Sequence, residues 1–160
     1  MGHDYGVGSV LVKIKYRHLN IVSSDWKKLA AFYVEALGCE TVSPERDLSG
    51  SWIEKAVGVE GAKISGIHVR LPGHGDEGTT IEILQYADNL PKSATRANRE
   101  GFGHIAFEVD DVEAATERVL ACGGSKVGDI ASGQVAGTGH VTLVYLADPE
   151  GNIVELQSWA

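Results

Sequence analysis

The chain has 160 residues and a formal net charge of −8; 43% of its residues are hydrophobic and 22% are charged. This composition is typical of one folded domain and excludes a disordered chain. The longest apolar run, residues 29–34, is far shorter than the roughly 18 residues of a membrane span, so no membrane partner is expected. An acidic chain without a basic cluster also argues against a nucleic-acid partner, because such binding depends on neutralising phosphates.

The amino terminus has none of the features of a targeting segment. Residues 1–9 are rich in glycine and predict a flexible arm. They lack both the basic start and the apolar stretch of a signal peptide. The two cysteines are too few for a disulfide framework. These observations favour the reducing cytoplasm as the compartment.

The first half of the chain begins with a strand and a helix. Residues 10–22 are rich in β-branched and apolar side chains and predict a strand. Asp25 is placed to cap a helix whose apolar residues recur at helical spacing, and Gly38 is placed to end it. Residues 51–58 indicate a further short helix, and residues 81–86 alternate as a strand does.

The second half repeats the first. Residues 104–111 align with residues 18–25, so that His104 matches His18. Residues 154–159 align with residues 81–86, so that Glu155 matches Glu82. Self-similarity of this kind indicates a duplicated structural unit. The first copy is longer by about 13 residues, and this surplus falls within residues 43–79.

The elements of the second half follow the same plan, and the repeated unit is β-α-β-β-β. Its elements are a strand over 102–109, a cap at Asp110 or Asp111, a helix over 112–122 stopped by glycines 123–124, and strands over 141–147 and 153–158 joined by a turn. The domain organisation that follows is a first module over 10–90, a linker over 91–100 and a second module over 101–160. The two modules are expected to form one compact α+β domain.

Four polar side chains lie at equivalent points of the two copies. Because side chains alternate across a strand, the apolar neighbours of each position face the helix, and the polar residue faces the other way. The residues placed in this way are His18, Glu82, His104 and Glu155. If the two copies pack about a pseudo-twofold axis, the four side chains converge on one concave surface.

A shared metal ion is the chemistry that such a set favours. Carboxylates that converge repel each other, and a divalent cation removes that conflict. Two imidazoles and two carboxylates suit Zn, Ni, Co, Mn or Fe. They leave coordination positions open for a substrate, as in a Lewis-acid site. His18, Glu82, His104 and Glu155 are therefore the candidate metal ligands.

Other residues are candidates for contact with a small-molecule substrate. Asn20, Gln157 and Trp159 share the inward faces of the strands. Arg96 lies in the linker, which carries three basic residues in an acidic protein and could meet an anionic substrate. His68 lies between Ile67 and Val69 and could face either way.

At these residues the sequence resembles the vicinal oxygen chelate superfamily, which includes glyoxalase I, methylmalonyl-CoA epimerase, extradiol dioxygenases and bleomycin-resistance proteins. The resemblance is carried by four segments: 18–22, 80–84, 103–111 and 148–156. It implies two βαβββ modules that form an open, barrel-like mixed sheet around one divalent metal ion held by His18, Glu82, His104 and Glu155.

The resemblance also implies an activity. A glyoxalase I type lyase or isomerase chelates substrate oxygens on the metal, stabilises an enolate-like intermediate and moves a proton with a carboxylate, here Glu82 or Glu155. The alternatives are a methylmalonyl-CoA epimerase-like enzyme, a metal-free drug-binding protein of the bleomycin-resistance kind and an extradiol dioxygenase. A homodimer is expected, with the metal site either within one chain or across two.

Overall fold

A computed structural model of the protein describes residues 13–160, and the predicted arm over residues 1–9 lies outside them. Within the described part, no helix is long and apolar enough to cross a membrane. The first half contains β1 (His18–Val22), α1 (Trp26–Leu37), β2 (Glu40–Ser49), α2 (Ser51–Val57), β3 (Lys63–Arg70), a 3-10 turn (Gly75–Glu77) and β4 (Thr80–Tyr86). The second contains β5 (His104–Glu108), α3 (Val112–Ala121), β6 (Ser125–Lys126), β7 (Ala131–Val135), β8 (Gly139–Ala147) and β9 (Ile153–Trp159).

Each half of the chain forms its own open, mixed sheet. The strand order of the first sheet is β1-β4-β3-β2, and that of the second is β5-β9-β8-β6, with β7 also paired to β8. The first strand of each half runs parallel to the last one, and the other pairs are antiparallel. Among the described strands no closed barrel forms. The predicted α+β class with a duplicated βαβββ plan is confirmed.

The two long helices begin in the same way, as the repeat predicts. The carboxylate of Asp25 accepts a hydrogen bond from the backbone N–H of Lys28, and that of Asp111 accepts one from Ala114. Each bond satisfies one of the free N–H groups at a helix start. Of the two candidate caps in the second half, the structure therefore selects Asp111. Gly38 ends α1 in the left-handed conformation, with φ of 68°.

The first half differs from the prediction at its start. The predicted strand over residues 10–22 begins only at His18 among the described residues. The reason is the partner strand: β4 starts at Thr80, which lies directly opposite His18, so residues 13–17 have no strand to pair with. The surplus within residues 43–79 contains α2, whose Ile53 packs with Ile64 and Leu84 on the face of the first sheet that α1 does not cover.

Both helices pack on the outer faces of the sheets and against each other, so the two halves share one hydrophobic core. Its fully buried members come from both halves and include Leu29, Tyr33, Ile81, Val119, Val144 and Leu156. A turn of the second half also contacts the first. Glu150, between β8 and β9, accepts hydrogen bonds from the backbone of Ser24 and Asp25 at the start of α1.

Candidate metal centre

His18 and Glu82 lie on neighbouring parallel strands, β1 and β4, on the inner face of the first sheet. His18 Nε2 is 3.2 Å from Glu82 Oε2. Asn20, two residues further along β1, donates from its side-chain amide to the Glu82 backbone carbonyl at 3.0 Å and to Oε2 at 3.3 Å. The carboxylate is 17% exposed and the imidazole 33%. The pair is thus ordered by the protein and still open to solvent.

His68, on β3, is a third member of this cluster. It lies opposite Glu82 in the antiparallel register of β3 and β4, and its Nε2 is 3.2 Å from Glu82 Oε1. Its other ring nitrogen, Nδ1, is 2.8 Å from Thr80 Oγ1. One ligand atom each from His18, His68 and Glu82 can be chosen so that all three lie within 4.8 Å of one another. We call these three residues the first half-site.

The electrostatics of the first half-site follow from burial. Burial lowers the pKa of His68, while the Glu82 carboxylate acts against this and Arg46 and His18 reinforce it. A neutral imidazole is the form in which histidine binds a metal ion. His18 Nδ1 is buried and has no hydrogen-bond partner among the described residues. Its Nε2 is therefore the nitrogen that the structure directs into the cluster.

The second half holds a matching pair on its own inner face. His104 Nε2, on β5, is 2.8 Å from Glu155 Oε2, on β9. Tyr145, on β8, lies opposite Glu155 in register, and its ring centroid is 4.8 Å from that of His104. Burial raises the pKa of Tyr145, and the nearby Glu155 adds to the effect. We call His104, Tyr145 and Glu155 the second half-site.

The two half-sites match residue by residue, with one difference. His18 corresponds to His104 and Glu82 to Glu155, as the sequence repeat predicts. On the third strand, His68 lies opposite Glu82 where Tyr145 lies opposite Glu155. The first half-site therefore has two imidazoles and one carboxylate, and the second has one imidazole, one carboxylate and a phenol.

The four predicted ligands form two pairs within one chain. Among the described residues, His104 and Glu155 do not join the three-residue cluster around Glu82. The shared four-ligand site stays a prediction. For His68, the sequence did not predict which face of the sheet the side chain lies on. Because the apolar Ile67 and Val69 face α1, strand alternation directs His68 to the same face as Glu82.

The predicted substrate contacts fall in two places. Asn20, Arg96 and His104 line one groove of about 280 Å³, which lies between β1 and β5 under the linker. Lys92, Arg99 and Glu100 also line it, so three cationic side chains face one carboxylate in the groove. Gln157 and Trp159 do not line this groove; they lie on the inner face of β9, where the Trp159 indole N–H donates to Gln157 Oε1 at 3.0 Å.

The donor atoms fit a divalent metal ion. Two imidazole nitrogens and a carboxylate oxygen on three adjacent strands are ligands that Zn and first-row transition metals prefer. The Thr80 hydroxyl contacts Nδ1 of His68 and so holds the imidazole from the side away from the cluster, as in many metal sites. The second half-site offers two such donors. An ion held by both half-sites would have the His2Glu2 set that the repeat predicts, with the His68 imidazole in addition.

Comparison with known proteins agrees with the fold. The model of the glyoxalase-like domain family matches residues 18–156. The 2-epi-5-epi-valiolone epimerase of an Actinomyces species is 28% identical over 149 residues, which are 89% of this chain and 78% of that protein. The probable lactoylglutathione lyase of Vibrio parahaemolyticus is 34% identical over 86 residues, or 52% of this chain and 57% of that protein.

The fold is also found among solved structures. A glyoxalase family protein from Bacillus cereus superposes with a TM-score of 0.78 at 18% identity, covering 94% of this chain and 98% of the other. The duplicated modules and the paired histidines and glutamates define a protein of the vicinal oxygen chelate superfamily. Within it, this chain belongs to the glyoxalase-like domain family.

Proposed function

We propose that the protein is a divalent-metal-dependent enzyme that moves a proton next to a substrate carbonyl, as an isomerase or lyase. The single observation that carries the proposal is the repeated pairing of an imidazole with a carboxylate, His18 with Glu82 and His104 with Glu155. A bound divalent ion supplies Lewis-acid polarisation of the carbonyl and stabilises an enolate-like oxyanion.

The proposal includes a homodimer in which the first half-site of one chain faces the second half-site of its partner. This arrangement supplies the four ligands that one chain keeps in two pairs. Apolar groups next to both half-sites support it. Val22, which follows Asn20 on the inner face of β1, is 51% exposed, and Phe102, two residues before His104, is fully exposed. A second copy that covers them would remove this apolar surface from water.

The two carboxylates have different surroundings, which supports different roles for them. Both oxygens of Glu82 are engaged, Oε1 by His68 and Oε2 by His18 and Asn20. Glu155 contacts His104 through Oε2, and its Oε1 accepts no hydrogen bond from the described residues. We therefore assign the proton transfer to Glu155 and a fixed ligand role to Glu82. A proton-transferring group needs a free oxygen within reach of the substrate.

The groove between β1 and β5 is the proposed approach for the substrate. Its lining includes His104 on β5, Asn20 on β1 and Arg96 in the linker. Its cationic lining favours a substrate with an anionic or strongly polar end in a protein whose net charge is −8. The relative with the longer match, which covers 89% of this chain, is named an epimerase. This favours epimerisation over lyase chemistry.

Deuterium exchange tests the proposed reaction. The protein is stripped with a chelator, reloaded with Zn, Ni, Co, Mn or Fe one at a time, and incubated in D2O with a panel of α-hydroxy ketones and 2-oxo acid derivatives. We expect at least one metal and substrate pair to show enzyme-dependent deuterium at the carbon next to the carbonyl by NMR. Glu155→Gln should stop the exchange. Glu117→Gln, an exposed carboxylate on α3, is the matched control and should leave it unchanged.

A second candidate is ring-cleaving dioxygenase chemistry. It is favoured by one observation, the two imidazoles and one carboxylate of the first half-site, because this is the ligand type of non-haem Fe(II) oxygenases. Iron-dependent oxygen consumption with catechols, in the absence of deuterium exchange on the carbonyl panel, would support it. A protein that binds none of the five metals would contradict both candidates.

A further inference from the structure

We infer that the first half-site binds a divalent metal ion within a single chain, through three protein ligands, and that His68 is the ligand that the second half lacks. This inference rests on the proposed function, which requires that the protein binds a divalent ion. It goes further in assigning which half of the chain captures the ion and in naming a ligand outside the repeated set of four.

The geometry of three adjacent strands supports the inference. Glu82 lies on β4, between β1, which carries His18, and β3, which carries His68. Each imidazole presents Nε2 to a different oxygen of the same carboxylate, and both distances are 3.2 Å. An ion placed between these three groups has donors on both sides of the central strand. The positions come from strand register, so ligand placement does not depend on a partner chain.

His68 is also oriented as metal-binding histidines are. Its Nδ1 is 2.8 Å from Thr80 Oγ1, so the ring is held from behind and Nε2 points to the carboxylate. Ligating histidines almost always use the second ring nitrogen for such a contact, which fixes the orientation of the ring. His68 is 9% exposed.

The second half of the chain is an internal comparison. Tyr145 occupies the place of His68, and its ring packs beside the His104 ring instead of presenting a nitrogen. His104 and Glu155 are then two donors, and two donors hold a divalent ion far more weakly than three. The first half-site should bind the ion alone, and the second should contribute ligands only after the ion is in place.

Metal titration of full-length variants tests this order. Chelator-stripped protein is titrated with Co²⁺, followed by calorimetry and by the visible absorption of the ion. We expect His104→Ala to keep one Co²⁺ per chain. Adding His68→Ala to that variant should weaken the affinity at least about tenfold. His74→Ala in the same background removes an exposed imidazole that belongs to neither half-site, so it is the matched control and should leave the affinity unchanged.

The outcomes separate the inference from the proposed function. If His104→Ala binds no Co²⁺ while its circular dichroism is that of the folded protein, the inference is wrong. It is equally wrong if His68→Ala leaves the affinity and the spectrum unaltered in both backgrounds. Thr80→Val keeps His68 and should shift the Co²⁺ spectrum and weaken binding by roughly tenfold. If the unmodified protein binds Co²⁺ through His68 but exchanges no substrate deuterium, the proposed reaction fails and the metal site stands.

Discussion

The hydroxyl of Tyr33, in α1, donates a hydrogen bond of 3.0 Å to the carboxylate of Asp148, which is 115 residues away in the turn after β8. Both side chains are buried, Asp148 at 2% exposure. The same carboxylate accepts from the backbone N–H groups of Glu150 and Asn152, so it also shapes the turn. One buried charge therefore organises a turn of the second half and fastens it to the first helix.

Removing the Tyr33 hydroxyl should destabilise the whole chain. Burial raises the pKa of Tyr33, and Asp148 adds to the effect, so the phenol stays a donor. Tyr33→Phe leaves the buried carboxylate without this donor, and we expect a loss of about 1–3 kcal/mol in the free energy of unfolding, measured by urea denaturation. Tyr86→Phe, whose hydroxyl makes no hydrogen bond to the described residues, is the control and should change stability by less than about 0.5 kcal/mol. Equal effects of the two substitutions would contradict the assignment.

Glu150 should make stability depend on pH at the acidic end. Burial alone would raise the pKa of Glu150, but hydrogen bonds from the backbone of Asp25 and Ser24 and from the Ser23 and Ser24 hydroxyls outweigh it and lower the pKa below its usual 4.5. The folded state thus favours the ionised form. Its contribution is complete above the unfolded pKa and is lost as pH falls through the folded one.

The corresponding substitution is Glu150→Gln. At about pH 7 we expect it to reduce the free energy of unfolding by roughly 1–3 kcal/mol, because hydrogen bonds to a charged acceptor are lost. The difference from the unmodified protein should shrink as the pH is lowered below the usual range of the carboxyl group. Urea midpoints measured across the acidic range provide the check, with exposed Glu117→Gln as the control. A difference that stays constant across that range would show that ionisation of Glu150 does not stabilise the fold.

The cap of α3 offers a test between two adjacent residues. Asp111 accepts a hydrogen bond of 2.9 Å from the Ala114 N–H, whereas Asp110 precedes the cap and is exposed. Asp111→Ala should cost about 1 kcal/mol of stability, and Asp110→Ala should change it by less than about 0.5 kcal/mol. Thermal unfolding of the two variants decides the point. A larger loss for Asp110→Ala would mean that the helix starts one residue earlier.

Mixing two inactive variants should restore activity if the half-sites meet across a dimer. Glu82→Gln inactivates the first half-site and Glu155→Gln the second, so each homodimer has two broken sites. In the mixed dimer, one site combines the intact first half-site of one chain with the intact second half-site of the other. Random exchange of chains should then recover about a quarter of the activity of the unmodified protein. Recovery of none, with chain exchange verified by mass labels, would indicate that each site forms within one chain.

Local signals in the sequence predicted much of the fold. Asp25, Gly38 and Asp111 mark helix ends through short-range hydrogen bonds and backbone conformation, and such signals act within a few residues. The inward positions of His18 and Glu82 followed from strand alternation. The start of β1 could not be predicted in this way, because it depends on where its partner strand, β4, begins.

The arrangement of the candidate site depended on packing that the repeat does not encode. Matching positions in two copies say that His18 and His104 are equivalent, but they do not say how the copies are placed. In this chain the copies meet through α1 and α3, and the two histidine–glutamate pairs stay apart. His68 was left open for a related reason, since its direction is fixed by the β3–β4 register and not by the repeat.

The hydrophobic core shared by the two halves has a consequence for how such a protein can change. Leu29 and Val119, on different helices, belong to the same buried cluster. A chain cut between the repeats would expose apolar surface on each fragment, so neither fragment should fold stably alone. The two copies are held together by this shared core as well as by the chain that links them. Replacing one copy by that of a relative would succeed only if the residues that pack between α1 and α3 were replaced together.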